Sequence, residues 1–196
     1  MRSKTTGCKK AREIVMPSRG LAKAASILRG GGIVAYPTES VYGLGCNPFN
    51  RGAVLRLLRI KRRIASKGLI VIAARLGQLT PFVAEFPEHV LNTWPGAYTW
   101  LLQPRRQVPY WVTGRHARIA VRLTAHTTAR ALCLAAGMAL ISTSANRAGQ
   151  SPVRDYREAV RRFGGEVDYV VPGRVGGFRQ PTAIIDAASG KIIRPG

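Results

Sequence analysis

Apolar residues recur every three or four positions in several stretches of the chain, which is the period of an α-helix with one buried face. The clearest stretch follows Ser18, a residue type that often caps helices, and it ends at the glycines 30–32. The same pattern predicts helices after Asn50, over 126–136 and over 156–163, with shorter helical turns near 78–84 and 87–94.

Short continuous apolar runs lie between these helices and predict strands that are buried on both faces. The run 33–36 is stopped by Pro37, and a second run covers 69–73. Further strands are predicted over 98–102, 118–123, 139–143, 167–171, 183–186 and 191–193. Because helices interrupt the strands irregularly and some strands follow each other directly, we predict an α/β fold with a mixed twisted sheet and packed helices.

The length of 196 residues suits one domain, and 46% apolar residues against 20% charged ones indicate a globular core. We divide the chain into a basic N-terminal arm, 1–17, and one domain, 18–196. No apolar run approaches the roughly 18 residues of a membrane span, so we expect no membrane association. The three cysteines have no metal-ligand spacing, and no secretory signal is recognised. We therefore expect a cytoplasmic protein.

Positive charge is the unusual feature of the composition. Lys and Arg number 31 against nine Asp and Glu, which gives a formal net charge of +22. Acids are absent between Glu39 and Glu85 and again between Glu88 and Asp155. Such a charge attracts polyanions such as nucleic acids, nucleotides and phosphorylated substrates. A generally basic, soluble surface remains the alternative interpretation.

Hydroxyl groups and cations cluster where predicted strands and helices end. The segment Pro37–Gly45 combines hydroxyls with glycines, and the period of a strand puts Ser142, Ser144 and Asn146 on one side. Lys61, Arg62, Arg63 and Lys67 repel one another unless they are solvated or face an anion, for which a triphosphate is the natural candidate. Ordinary turns and a solvated basic loop stay open as alternatives. The histidines, His89, His116 and His126, are interpreted as structural.

Six motifs in order give the chain a family resemblance from about residue 20 to the C-terminus. They are Pro37–Gly45, Lys61 with Arg63, Trp94-Pro95-Gly96, Ala120-Val121-Arg122, Ser142–Asn146 and Ile193–Gly196. In these the chain resembles the threonylcarbamoyl-AMP synthase family of the short, single-domain bacterial YrdC/TsaC type. It departs from the usual pattern at Ile64, Ala97 and Thr127, where the family commonly has proline.

The resemblance implies a YrdC-like catalytic domain around a basic cavity. The implied enzyme, a nucleotidyltransferase, converts L-threonine, bicarbonate and ATP into threonylcarbamoyl-AMP and pyrophosphate. The product serves the t6A37 modification of tRNAs that read ANN codons, through a transferase machinery of the TsaD/TsaB/TsaE type. Mg²⁺ accompanies ATP, is held by the ATP phosphates and has no protein ligand. Direct contact with tRNA is a further expectation.

The resemblance also implies roles for particular residues. Lys61 and Arg63 are the implied catalytic residues. The implied ATP-binding residues are Lys61, Arg63, Lys67, Ser144, Asn146, Ser151 and Arg194. The implied threonine-binding residues are Thr38, Arg122, Ser142 and Thr182.

The alternative function is a non-catalytic basic RNA-binding module for tRNA or rRNA. Such modules stack bases on aromatic side chains, yet aromatic residues make up only 7% of the sequence, and no RRM or KH signature occurs. The sequence therefore favours the enzyme.

Overall fold

A mixed sheet forms the centre of the computed structural model, which describes residues 18–196. Its strands are β1 (Val34–Pro37), β2 (Tyr42–Gly45), β3 (Ile70–Ala73), β4 (Tyr98–Leu102), β5 (Ile119–Leu123), β6 (Leu140–Ser144), β7 (Tyr169–Val170), β8 (Ala183–Asp186) and β9 (Ile192–Arg194). They lie in the order β7-β1-β2-β6-β3-β5-β4-β8-β9, with parallel and antiparallel neighbours. The predicted mixed sheet is confirmed. The predicted arm, 1–17, lies outside the described residues.

The helices pack on this sheet, and four of them begin within one residue of the start that the sequence predicted. They are α1 (Arg19–Arg29), α2 (Arg51–Lys61), α3 (Glu88–Leu91), α4 (Tyr110–Thr113), α5 (Thr127–Ala136) and α6 (Tyr156–Phe163), with 3₁₀ turns at 65–67 and 76–78. Ser18 and Asn50 cap α1 and α2, where their side chains accept hydrogen bonds from the backbone N–H of Leu21 and Ala53. Within 18–196, no helix is both long and apolar enough to cross a membrane.

Alternate residues of the central strands serve two hydrophobic cores. On β1, Val34 and Tyr36 join the core beneath α1 and α5, whereas Ala35 joins the core that includes α2. On β3, Ile72 belongs to the first core and Val71 to the second. Burial on both faces explains why these strands are continuous apolar runs in the sequence.

Strand β2 is missing from the sequence prediction, which treated Pro37–Gly45 as a loop. In the structure, β2 turns back antiparallel to β1 and also pairs with β6, where Gly43 lies opposite Ser144. A Cβ atom on Gly45 would lie 2.6 Å from the carbonyl oxygen of Ile141, so only glycine allows this approach. Helix α4 was also not predicted. The strand predicted over 167–171 is shorter, at Tyr169–Val170.

An uncovered part of the sheet creates the space for a site. Ile72 is fully buried in the core beneath α1 and α5, together with its register partner Leu140. Two residues earlier on the same face, Ile70 is only half-buried and lies opposite Ala120 and Ser142. These three residues line a cavity, which therefore begins where the core beneath the helices ends.

Candidate functional site

The cavity measures about 450 Å³ and lies over this part of the sheet. Strand β6 supplies Ser142 and Ser144, β5 supplies Ala120 and Arg122, and β2 supplies Gly43. The remaining side is closed by Pro181, Thr182, Ile184, Ile193 and Arg194, which lie in or beside the edge hairpin β8–β9. Segments from distant parts of the sequence thus meet around one space.

Eight of the eleven site residues implied by the resemblance line this cavity. They are Thr38, Arg63, Lys67, Arg122, Ser142, Ser144, Thr182 and Arg194. Lys61, Asn146 and Ser151 are not among the lining residues. The roles of all eleven stay predictions, but the structure brings the eight together from six separate chain segments.

The cavity wall carries positive charge. Five cations line it, namely Arg63, Lys67, Arg118, Arg122 and Arg194, and no Asp or Glu from the part of the chain that the structure describes joins them. Three of these guanidinium groups have a buried Nε atom without a hydrogen-bond partner, those of Arg63, Arg122 and Arg194. These Nε atoms are buried in the protein rather than open to the cavity, so the charge of the side chains, not the Nε atoms, is what the cavity offers a ligand.

Burial lowers the pKa values of two of these arginines, Arg63 and Arg194, and the proximity of other cations contributes at Arg194. Burial lowers the pKa of Arg63. Burial, followed by the charges of Arg122 and Arg63, lowers the pKa of Arg194. The charges of Arg122 and Arg63 thus make the charged form of Arg194 less favourable, which an anionic ligand would reverse.

Arg122 is anchored on the protein side of the cavity. Its Nη2 donates to Glu39 Oε2 over 3.0 Å, and its Nη1 donates to Thr182 Oγ1 over 2.6 Å. The Thr124 hydroxyl donates to the other Glu39 oxygen over 2.6 Å. Burial opposes ionisation of Glu39, but the Arg122 charge and the Thr124 hydroxyl outweigh it and hold the Glu39 pKa below its usual value.

The segment that carries Thr38 and Glu39 is fixed by a distant loop. The backbone N–H of Gly176 donates to the Thr38 carbonyl over 2.9 Å, and that of Phe178 donates to the Glu39 carbonyl over 3.3 Å. The Thr38 hydroxyl itself donates to the Val41 carbonyl over 2.7 Å. The proton of this hydroxyl is therefore engaged, so its oxygen keeps only its capacity as a hydrogen-bond acceptor.

Lys61 is neither solvated nor open to the cavity, in contrast to the expectation for the basic segment. Only 4% of the residue is exposed, and its ammonium donates to the carbonyl oxygens of Ser144 and Asn146, the latter over 2.8 Å. Burial, and then the charge of Arg63, lowers the Lys61 pKa to about 8. Ser144 and Asn146 are also joined by a side-chain hydrogen bond of 2.6 Å. Lys61 therefore holds the end of β6, and its implied ATP contact stays a prediction.

Two ionisable residues of the cavity wall, His116 and Arg118, were not predicted as site residues from the sequence. His116 was interpreted as structural, yet it lines the cavity just after α4. Because α4 was not predicted, no signal placed this segment near the site. Arg118 could have been found, since the period of a strand puts it on the same face of β5 as Ala120 and Arg122. Its Nη1 donates to Gln103 over 2.8 Å.

The donor set of the cavity does not fit a metal ion held by the protein alone. The lining offers hydroxyl oxygens of Thr38, Ser142, Ser144 and Thr182, but Mg²⁺ in proteins is usually bound through carboxylates or substrate phosphates. Within residues 18–196, no three His, Cys, Asp or Glu side chains are grouped in a way that could hold a metal.

Comparison with known proteins gives consistent matches. The Sua5/YciO/YrdC family model, described as telomere recombination, matches residues 26–196. A threonylcarbamoyl-AMP synthase of Alkalilimnicola ehrlichii is 49% identical over 183 residues, which cover 91% of this chain and 96% of that protein. One of Halorhodospira halophila is 50% identical over 175 residues, with 87% and 92% covered.

A solved structure with a bound amino acid is also similar. The structure of P. abyssi Sua5 complexed with L-threonine superposes with a TM-score of 0.84 and 31% identity over 90% of this chain. The match covers 54% of the Sua5 chain, so the present chain spans about half the length of that protein.

Proposed function

The chain belongs to the Sua5/YciO/YrdC family, and on this premise we propose that it is a threonylcarbamoyl-AMP synthase. The enzyme joins L-threonine, bicarbonate and ATP and releases pyrophosphate. The observation that carries the proposal is the cavity itself, in which eight of the eleven implied residues meet and whose lining holds five cations and no acidic side chain from residues 18–196. A cavity of this kind favours the enzyme over a non-catalytic RNA-binding module, which needs an open surface.

The reaction suits a cavity that is rich in cations and poor in general bases. Bicarbonate loses hydroxide to give CO₂, which adds to the threonine amine as a carbamate, and the proton that the amine loses combines with this hydroxide as water. A carbamate oxygen then donates its electron pair to the α-phosphorus of ATP, and the bond to the bridging oxygen breaks as pyrophosphate leaves. Because the nucleophile is already an anion, the protein mainly has to align the reactants and neutralise charge.

Threonine and ATP are assigned to different parts of the cavity wall. Arg122, with Thr38, Ser142 and Thr182, binds threonine, and the Arg122 guanidinium attracts its carboxylate. Arg63, Lys67 and Arg194 bind the triphosphate, with Ser144 beside them. Lys61 and Asn146 support Ser144 from behind the wall. Ser151 keeps its implied ATP contact as part of the proposal.

Mg²⁺ is proposed to enter with ATP. It neutralises charge on the triphosphate when bound, and phosphate oxygens and water supply its ligands. Thr38, Ser142 and Ser144 contribute hydroxyl groups that orient the reactants around it. The role of the protein cations is then to balance the remaining charge of the leaving pyrophosphate.

The wider setting is also a proposal. The product adenylate passes to a t6A transferase machinery of the TsaD/TsaB/TsaE type, which modifies tRNA in the cytoplasm. The large positive charge supports an additional contact with tRNA.

The activity is tested by pyrophosphate release from the purified full chain. We expect release only when ATP, L-threonine and bicarbonate are all present, with threonylcarbamoyl-AMP detected by mass spectrometry. Release that continues without threonine or without bicarbonate would contradict the proposal.

Arg122→Lys tests the threonine assignment. Lysine keeps the charge but cannot donate to Glu39, Thr182 and a substrate carboxylate in the planar geometry of arginine. The KM for threonine should therefore rise more than the KM for ATP. Arg130→Lys on the exposed face of α5 is the matched control and should change neither constant. If Arg122→Lys raised the KM for threonine and the KM for ATP equally, the assignment of Arg122 to the threonine site would be wrong.

A further inference from the structure

Among the five cavity cations, Arg122 is the one that forms an ion pair within residues 18–196. Arg122 forms an ion pair with Glu39 over 3.0 Å, and only 6% and 4% of the two side chains are exposed. In residues 18–196, no ion pair involves Arg63, Lys67, Arg118 or Arg194. The positive charge of the cavity is therefore balanced at one place and unbalanced elsewhere.

Arg122 and two of the unbalanced cations, Arg63 and Lys67, lie toward opposite ends of the cavity. Strands β3 and β5 are parallel, and Arg122 lies opposite Ile72, near their carboxyl ends. Lys67 precedes the amino end of β3, and Arg63 is tied to this end because its Nη2 donates to the carbonyls of Lys67 and Gly68. Arg194 lies closer to Arg122, since its Nη2 donates to the carbonyl of Thr182, whose hydroxyl accepts from Arg122. The topology thus separates the balanced Arg122 from the cationic end at Arg63 and Lys67, with Arg194 as the unbalanced cation nearest to it.

From this separation we infer that Glu39 is a specificity-determining residue, which keeps the threonine end of the cavity from binding polyanions. The inference rests on the proposed function and assigns a role to a carboxylate that does not touch the substrate. Glu39 acts through Arg122, whose charge it balances and whose guanidinium it orients.

The physical reason is the net charge that each ligand brings. An unpaired buried guanidinium binds phosphate as well as carboxylate, because both match its planar donors. With Glu39 beside it, the pair has no net charge, and interactions between charges are strong away from bulk water. A zwitterion such as threonine, with its own balanced charges, is accepted there. A triphosphate or pyrophosphate gains no net attraction from this pair and stays with the unbalanced cations Arg63, Lys67 and Arg194.

Glu39→Gln tests the inference because it keeps the shape of the side chain and removes its charge. Threonine binding is measured by calorimetry with and without saturating inorganic pyrophosphate. In the wild type, we expect pyrophosphate to leave the threonine Kd within about twofold. In Glu39→Gln, we expect pyrophosphate to enter the threonine end and raise the apparent threonine Kd about tenfold or more.

Two further variants separate charge from structure. Glu39→Gln combined with Arg122→Gln leaves a neutral pair, and competition by pyrophosphate should disappear although threonine binds weakly. Thr124→Val removes the hydroxyl that donates to Glu39 but keeps the charge, so the wild-type pattern should remain. A melting curve of each variant reports whether it folds.

Each outcome has a distinct meaning. A folded Glu39→Gln protein in which pyrophosphate does not compete with threonine overturns the inference. If this variant does not fold, the wild type still decides, because competition between pyrophosphate and threonine there also overturns it. A wild type that binds no threonine at all contradicts the proposed function instead.

Discussion

Arg63 lines the cavity with part of its guanidinium already held, since Nη2 donates to the carbonyls of Lys67 and Gly68 over 3.3 and 3.0 Å. Its positive charge, which no ion pair within residues 18–196 balances, attracts the phosphates of ATP. Arg63→Ala removes a charge-assisted contact worth roughly 1.5–3 kcal/mol. We expect pyrophosphate release at sub-saturating ATP to fall about 10- to 150-fold while the protein stays folded. Wild-type release by this variant would contradict the assignment.

Lys61 has a different expected effect, because its ammonium is buried among carbonyl oxygens. Lys61→Ala leaves these acceptors without a donor, and we expect a loss of roughly 1–3 kcal/mol in the free energy of unfolding. Urea unfolding measures it. Lys67→Ala is the control, since Lys67 is exposed and should not affect stability. Equal stability of the two variants would exclude a structural role for Lys61.

Residue identities were easier to predict than residue surroundings. The motifs contain Thr38, Arg122 and Arg194, which the structure brings to one cavity. They did not reveal that Lys61 faces carbonyls, because the sequence of a basic segment is the same whether its side chains meet water, phosphate or backbone. That distinction depends on where the end of β6 packs.

At the scale of elements, the β1–β2 hairpin gives a prediction about cavity shape. A Cβ atom on Gly43 would lie 3.1 Å from Thr38 Cγ2 and 3.3 Å from Ser142 Oγ. Gly43→Ala should therefore narrow the threonine end and raise the threonine KM several-fold, with less effect on the ATP KM. Gly77→Ala, with no neighbour within 4 Å of its Cβ atom, is the control. A larger change in the ATP KM would contradict this geometry.

The elements that local sequence determines were predicted, and those that depend on neighbours were not. Capping residues and apolar spacing predicted α1 and α2. Continuous apolar runs, which are typical of strands buried on both faces, predicted β1 and β3. Strand β2 is four residues long and contains two glycines, so its own sequence favours a loop. It is a strand because β1 and β6 pair with both of its edges.

For the whole molecule, the cavity explains only a small part of the charge. Without its five cations, 26 basic residues remain against nine acids. We expect tRNA binding that is mainly electrostatic and falls roughly a thousandfold between about 50 and 200 mM salt, if about six phosphates are contacted. Filter binding measures it for the full chain and for a chain without residues 1–17. No binding at about 50 mM salt would contradict the expectation. Equal binding by both chains would exclude a contribution of residues 1–17 to tRNA binding.

The two ends of the cavity differ in their exposure to solvent, and this difference has a consequence for the order in which the substrates bind. Arg122, Thr38 and Thr182 are 5%, 6% and 7% exposed, whereas Lys67 at the other end is exposed to solvent. A nucleotide bound along the cationic end would block access to the more buried threonine end of the cavity. The amino acid should therefore enter first. In stopped-flow experiments, a non-hydrolysable ATP analogue added beforehand should slow threonine association, and an unchanged association rate would show that the two substrates enter independently.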